Sequence, residues 1–166
     1  MRWKNLVSVI ILNNTRMKNN IRKATQEDLV QLSQLFDEYR MFYHKTSDLA
    51  GAQQFLSERL ERKDSEIFVA EDKERLVGFV QLYPLFSSTR MKRYWLLNDL
   101  YVNSNSRGKG FSKALIEEAK ALCRISNSCG MYLETSKENV IGNQLYPSAG
   151  FKKYDEVNFY EWEVES

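Results

Sequence analysis

The sequence predicts an α/β domain in which a mixed central β-sheet of about six or seven strands is flanked by helices. Three observations predict it. Residues 96–122 pass from apolar, β-favouring residues through a polar turn to Arg107-Gly108-Lys109-Gly110 and then into helical apolar spacing, so strand, glycine loop and helix follow one another without slack. Residues 65–85 hold two β-rich runs around a charged turn at 71–74, the pattern of an antiparallel hairpin. A helix-spaced stripe precedes that hairpin, and a further strand candidate at 130–135 follows the central helix. Antiparallel strands first and parallel neighbours around a crossover helix later make a mixed sheet.

Residues 1–20 contain an apolar run at 6–12 that stops at Asn13, too short to span a bilayer and followed by no small-residue cleavage site. They are expected to be an N-terminal extension or an extra strand ahead of a single domain over 21–166. Residues 21–24 read as the first strand. Thr25 and Asp28 then form a capping-box pair for a helix from Gln26 to about Tyr43, with Leu29, Leu32, Leu35, Phe36, Tyr39, Phe42 and Tyr43 as its apolar, core-facing stripe. A second helix begins after Leu49 and ends near Lys63-Asp64. The hairpin strands cover 65–70 and 75–85, with Gly78 marking a bulge or a close packing contact. The basic connection 86–93 is long enough to lie over a substrate entrance.

Beyond the central helix and the 130–135 strand, a short helix is expected over 138–146, limited by Pro147 and ended by Gly150. Residues 151–154 and 158–164 are expected to close the sheet as a last pair of strands.

Gly108 and Gly110 let the backbone come close to a bound group, and the first free N–H groups of the following helix point back towards the strand. That geometry makes an anion site, although an ordinary αβ connection has the same local pattern. The dinucleotide fingerprint GxGxxG and the GxxxxGK[ST] phosphate loop both fail on spacing, so a nucleoside triphosphate with magnesium is not favoured.

Asn105-Ser106-Arg107-Gly108-Lys109-Gly110 resembles the Q/R-x-x-G-x-G/A loop of the GNAT N-acetyltransferases, with Asn in the first position. Asn139-x-x-Gly142-x-x-Leu145-Tyr146, followed by Ala149-Gly150-Phe151, is similar to that superfamily's N-x-x-A-x-x-L-Y-x-x-x-G-F segment, with Gly142 where Ala is usual and Pro147 after the tyrosine. The resemblance covers roughly residues 21–164 and implies the GNAT fold and acetyl-CoA as acetyl donor. By the same resemblance, backbone N–H groups at Leu100, Tyr101 and Val102 hold the pantetheine arm and polarise the thioester carbonyl. Arg107, Gly108, Lys109, Gly110, Phe111 and Ser112 hold the pyrophosphate, Asn139 contacts the cofactor arm, and Tyr146 is both a cofactor contact and the proton donor to the CoA thiolate.

Asn98-Asp99-Leu100-Tyr101-Val102 also resembles the E-D-[LIF]-[YF]-V strand of the diamine acetyltransferase branch, in which two acids meet the polyamine; here Asn98 replaces the first acid. An acid within an apolar strand seldom lies buried without a partner. Asp99 is therefore expected either to bind or deprotonate the acceptor amine beside Asn98, or to form a structural ion pair with Arg93, Arg40 or another base.

The chemistry implied is direct transfer. No Cys or Ser is placed by sequence beside a histidine as an activated nucleophile. The acceptor is a primary amine of a small molecule or of a protein, and a non-catalytic CoA-binding or protein-interaction module is the alternative. A formal charge of +2 from 24 Lys plus Arg and 22 Asp plus Glu demands no nucleic-acid or membrane partner. Cys123 and Cys129 lack a metal-ligand pattern and are expected to be reduced, and His44, the only histidine, has no ligand spacing around it, so no metal is expected. A cytoplasmic protein, compatible with a homodimer, is the expectation.

Overall fold

The structure is a computed structural model and describes residues 20–164; apart from Asn20, the expected N-terminal extension or extra strand lies outside the described residues. The elements run β1 (Asn20–Lys23), a short 3-10 turn (Gln26–Asp28), α1 (Leu29–Phe42), α2 (Leu49–Arg62), β2 (Glu66–Asp72), β3 (Arg75–Ser87), β4 (Lys92–Val102), α3 (Phe111–Ile125), β5 (Met131–Tyr132) and α4 (Val140–Ser148). The sheet order is β1-β2-β3-β4-β5. All neighbours are antiparallel except β4 and β5, which are parallel around the α3 crossover.

Local chemistry explains the starts and stops. Thr25 and Asp28 form the expected capping box, and Arg22 clamps Asp28 with two hydrogen bonds of 2.8 and 2.7 Å, which ties β1 to the entry of α1. That contact and the Thr25 N–H hold the Asp28 carboxyl below the usual carboxylate range. Asp48 caps α2 by accepting from Gly51 N–H at 2.9 Å. Lys73 and Glu74 both have positive φ, 51° and 65°, so the hairpin turn tightens to two residues and the strands run past the expected charged turn.

Each face of the sheet carries its own apolar cluster. Leu32, Leu35 and Leu56 from α1 and α2 pack with Ile67, Val69 and Phe79 on one face. Phe111, Leu115, Ala119 and Leu122 of α3 pack with Val80, Leu82, Trp95 and Leu97 on the other. Each such fully buried leucine contributes about 1.5–3 kcal/mol of transfer free energy.

Several expectations are corrected. The described sheet has five strands rather than six or seven, because the expected closing strands at 151–154 and 158–164 form no ladder among the described residues. Phe151 packs against the α3 cluster, whereas Phe159, Tyr160 and Trp162 are 68%, 85% and 84% exposed. The strand expected at 130–135 pairs only at Met131 and Tyr132, which leaves a short edge for a further strand. The connection 86–93 is not a cover: β3 and β4 extend into it and pair as far as Ser87 and Lys92, leaving a tight turn. Helix α4 runs through Pro147 to Ser148, since a proline this close to the end costs one backbone bond in a turn about to stop, and Gly150 then closes it at φ 86°.

Candidate active site

The site begins with a defect in β4. Gln81 lies opposite Asp99, but the next ladder pair is Leu82 with Leu97, so Asn98 is an extra residue on β4. Strand side chains alternate between faces, and in a regular strand Asp99, two residues after Leu97, would share its face in the α3 core. The bulge turns Asp99 to the α1 face instead. There it is 6% exposed and accepts from Asn98 Nδ2 at 3.0 Å, with the Tyr39 hydroxyl near enough to favour its charged form. Neither cation considered for an ion pair reaches it: Arg40 pairs with Asp37 at 3.2 Å, and Arg93 lies over Phe86 and Trp95. Burial pushes the Asp99 carboxyl up, against the pull of the Asn98 amide and the Tyr39 hydroxyl.

The bulge also marks where β4 and β5 part. β5 pairs with β4 only at Trp95 and Leu96, while β4 continues to Val102. Its edge from 97 onwards faces a cleft of about 470 Å³ lined by Tyr39 and Tyr43 of α1, Leu96, Leu97 and Asn98 of β4, and Glu134, Thr135 and Ser136 beyond β5. The aromatic end of the α1 stripe, expected in the core, therefore splits. Leu32 and Leu35 are buried, but Phe42 and Tyr43 are 45% and 41% exposed.

Leu100, Tyr101 and Val102 lie on this stretch of β4, opposite Val80, Phe79 and Gly78 of β3 in the antiparallel ladder. Gly78 is the close contact the sequence suggests, since a Cβ there would lie 2.7 Å from the Tyr101 carbonyl oxygen. The Tyr101 side chain turns to α1 and donates to Glu38 at 3.3 Å, and Asn103 Nδ2 reaches the same carboxylate at 2.8 Å.

Gly108 and Gly110 both have left-handed φ, 78° and 87°. Gly110 is the residue before α3, and no side chain caps that helix, so the N–H groups of Phe111 and Ser112 are left for a ligand. Phe111 anchors the turn through its buried ring. A Cβ at Gly108 would meet nothing within 4 Å, which leaves open space over the loop. Lys109 pairs with Asp72 at 3.4 Å. Arg107 is turned away from the loop: its Nε donates to the Val102 carbonyl at 3.1 Å, and its guanidinium lies 5.9 Å from the Phe42 and Tyr101 rings. The two left-handed glycines and the start of α3 offer backbone N–H groups to an anionic group, outside the lining of the cleft at Leu96, Leu97 and Asn98.

Asn139 is committed to α4. Its Oδ1 accepts from Gly142 N–H at 3.0 Å and its Nδ2 donates to Thr135 Oγ1 at 2.9 Å. A Cβ on residue 142 would lie 2.5 Å from Asn139 Nδ2, which explains glycine there. Tyr146 packs edge-on against Phe151 with ring centroids 5.7 Å apart. Its phenol is pushed up to about 12, first by burial and then by Tyr43. Tyr39 feels the charge of both Asp99 and Tyr146, so the two candidate catalytic groups lie within electrostatic reach of one tyrosine. Tyr39, Tyr43 and Glu134 were not singled out by the sequence as site residues. An aromatic stripe longer than the core needs, and a Glu inside the apolar 130–135 run, were the available signals.

The model of the acetyltransferase (GNAT) family matches residues 29–151. An uncharacterized N-acetyltransferase of Bacillus subtilis (strain 168) is 40% identical over 134 residues, covering 81% of this chain and 90% of the relative. A probable acetyltransferase of Haemophilus influenzae is 30% identical over 140 residues, covering 84% and 94%. A solved structure of a probable acetyltransferase superposes with a TM-score of 0.82 at 38% identity, covering 89% of this chain and 99% of that one.

Proposed function

The chain belongs to the acetyltransferase (GNAT) family, and from that membership we infer a direct transfer of the acetyl group of acetyl-CoA to a primary amine of a small molecule or a protein. It is an acetyl-CoA-dependent N-acetyltransferase; the acceptor and the residue roles are the inference. Acetyl-CoA supplies an activated thioester carbonyl when bound.

In this reading the N–H groups of β4 at 100–102 orient the arm and the carbonyl, and the loop from Arg107 to Ser112 receives the pyrophosphate on its backbone. Arg107 acts by staying on the Val102 carbonyl and shaping the turn. Asp99 takes the proton of the incoming ammonium, Asn98 borders the acceptor, and Tyr146 gives a proton at the sulfur. Asn139 acts by fixing α4 and hence Tyr146. The single observation that carries the reading is the bulge at Asn98, which puts an acid with no cation partner among the described residues beside the strand edge that β5 leaves open. Glu134 on the opposite wall of the cleft favours a cationic acceptor.

The test is a panel of amines and peptides incubated with acetyl-CoA and read by thiol release. Many turnovers on at least one cationic amine are expected. Stoichiometric CoA binding without turnover across the panel would indicate a non-catalytic binding module.

A homodimer is part of the same proposal. Residues 154–164 carry Asp155, Glu156, Glu161 and Glu163 with no Lys or Arg, and expose six large apolar side chains from Tyr154 to Val164. The β3–β4 turn offers Arg90, Lys92 and Arg93 beside exposed Phe86 and Met91, a complementary surface on a second copy. Light scattering on the full chain should give twice 19.6 kDa, and a single-chain mass would remove this part of the proposal. The proposed domain is the span 21–166.

A further inference from the structure

Beneath α1 the sheet carries a polar cluster that the reaction as described leaves unused. Gln81 of β3 and Asp99 of β4 are directly opposite in the antiparallel ladder, so their side chains leave the sheet on one face with Cβ atoms about 5 Å apart. Gln81 is 0% exposed. Its Nε2 donates to Ser65 Oγ at 2.9 Å and to the Tyr83 hydroxyl at 3.1 Å, and its Oε1 is buried with no partner among the described residues. A buried acceptor left bare costs about 1–3 kcal/mol, and a buried carboxylate without a cation is also unfavourable. An ionised Asp99 has no donor to offer that amide oxygen. One proton on Asp99 relieves both, because it turns a carboxylate oxygen into an O–H donor beside the amide oxygen that lacks one.

We propose that Gln81 is the positioning residue for Asp99, its free amide oxygen accepting the carboxyl O–H once Asp99 has taken the proton of the incoming ammonium. The balance is one proton: the ammonium becomes the neutral nucleophile, the carboxylate becomes the neutral acid, and no other bond changes. This rests on Asp99 acting as the base. The other groups around the pair are Tyr39 from α1 and Tyr83 from β3, with Arg59 and Asp64 at the end of α2 acting on Tyr83. Glu38 of α1 is taken by Tyr101 and Asn103. Tyr83, pushed up to about 12 by burial and then by Asp99, stays neutral through the working range.

The test is carboxyl NMR on protein labelled with 13C-aspartate, with Asp99→Asn used to assign the Asp99 signal. Gln81→Met keeps the length and removes the oxygen, and it should lower the Asp99 midpoint by about one unit. Gln81→Glu lets two carboxyls share a proton and should raise it. An unchanged midpoint in both variants would overturn the proposal. So would a rise in Gln81→Met, since it would mean that the amide presents N–H rather than oxygen to the carboxyl. The pH profile of kcat/KM on the same variants tests the base itself. If the NMR midpoint moves and the acidic limb does not, Asp99 is not the base while the link to Gln81 stands.

Discussion

The hydroxyl of Tyr39 on α1 and the carboxylate of Asp99 on β4 lie within electrostatic reach of one another, and this proximity joins the helix lining the cleft to the bulged strand. Burial and the Asp99 charge together push the Tyr39 phenol far up, so it remains a donor at every working pH. Its ring also meets Tyr101 and Phe79 at centroid distances of 6.2 and 5.9 Å, which fixes the direction of the hydroxyl.

Tyr39→Phe keeps that packing and removes one donor from the carboxylate. Hydrogen bonds to the charged form favour it, so the Asp99 carboxyl should rise further and the acidic limb of kcat/KM should move to higher pH. CoA affinity should stay within about twofold, because the loop at 107–112 is untouched. A pH profile identical to wild type would show that Asp99 does not limit the acidic limb.

Asp99→Asn should separate stability from activity. A carboxyl whose folded pKa lies above its unfolded value of about 3.9 contributes stability that is fully present below that value and is lost as pH rises through the folded pKa. Asp99 has that sign because burial raises it. Asparagine keeps the shape and cannot ionise, so the variant should melt at a higher temperature than wild type at pH 8, with the gap closing towards pH 4. Turnover should fall by about 10²- to 10⁴-fold. A variant less stable at pH 8 than at pH 4, relative to wild type, would mean that the ionised carboxylate has an attractive partner.

Much of this was legible beforehand, for physical reasons that can be named. The glycine loop was legible because Gly108 and Gly110 are required by left-handed φ, and the α1 entry because a capping box is a local pattern. The bulge was not, because an extra residue in one strand is defined only against its partner, and Asn98 has no local mark. The role of Arg107 was hidden for the same reason: its Val102 carbonyl and Phe42 ring come from tertiary placement. The closing strands at 151–154 and 158–164 were expected as a pair, yet a β-favouring run does not by itself supply the neighbour it must bond to.

Gly110→Val tests the cradle. The native φ of 87° costs an L-residue about 1–2 kcal/mol, and a β-branched side chain adds obstruction where the helix N–H groups open. CoA affinity by calorimetry should fall at least tenfold in a folded variant; unchanged affinity would remove the phosphate end from this loop. Arg107→Ala should weaken CoA less and lower the melting temperature, since what it loses is a hydrogen bond and ring packing at the end of β4.

Tyr146 is predicted to assist departure of the thiolate as a hydrogen-bond donor more than as a free acid. Burial and Tyr43 push its phenol up to about 12, whereas a free thiol titrates near about 8.5. Complete transfer of the proton to a free thiolate is therefore uphill, and the contribution comes while negative charge develops on sulfur during C–S cleavage. Among the described residues the hydroxyl has no hydrogen-bond partner, and His44, the one histidine, lies in an exposed turn, so no imidazole stands by to replace it. Tyr146→Phe retains the edge-on contact with Phe151 and should bind CoA as wild type does. Single-turnover acetyl transfer at saturating amine should slow by about 10²-fold. The wild-type rate should show no loss from Tyr146 ionisation between pH 8 and pH 10, because a phenol near about 12 stays protonated there. A Phe variant with the wild-type single-turnover rate would assign the proton to water or to the substrate ammonium, and a basic limb below pH 10 in wild type that vanishes in the variant would place the phenol in a far more polar environment than this cleft provides.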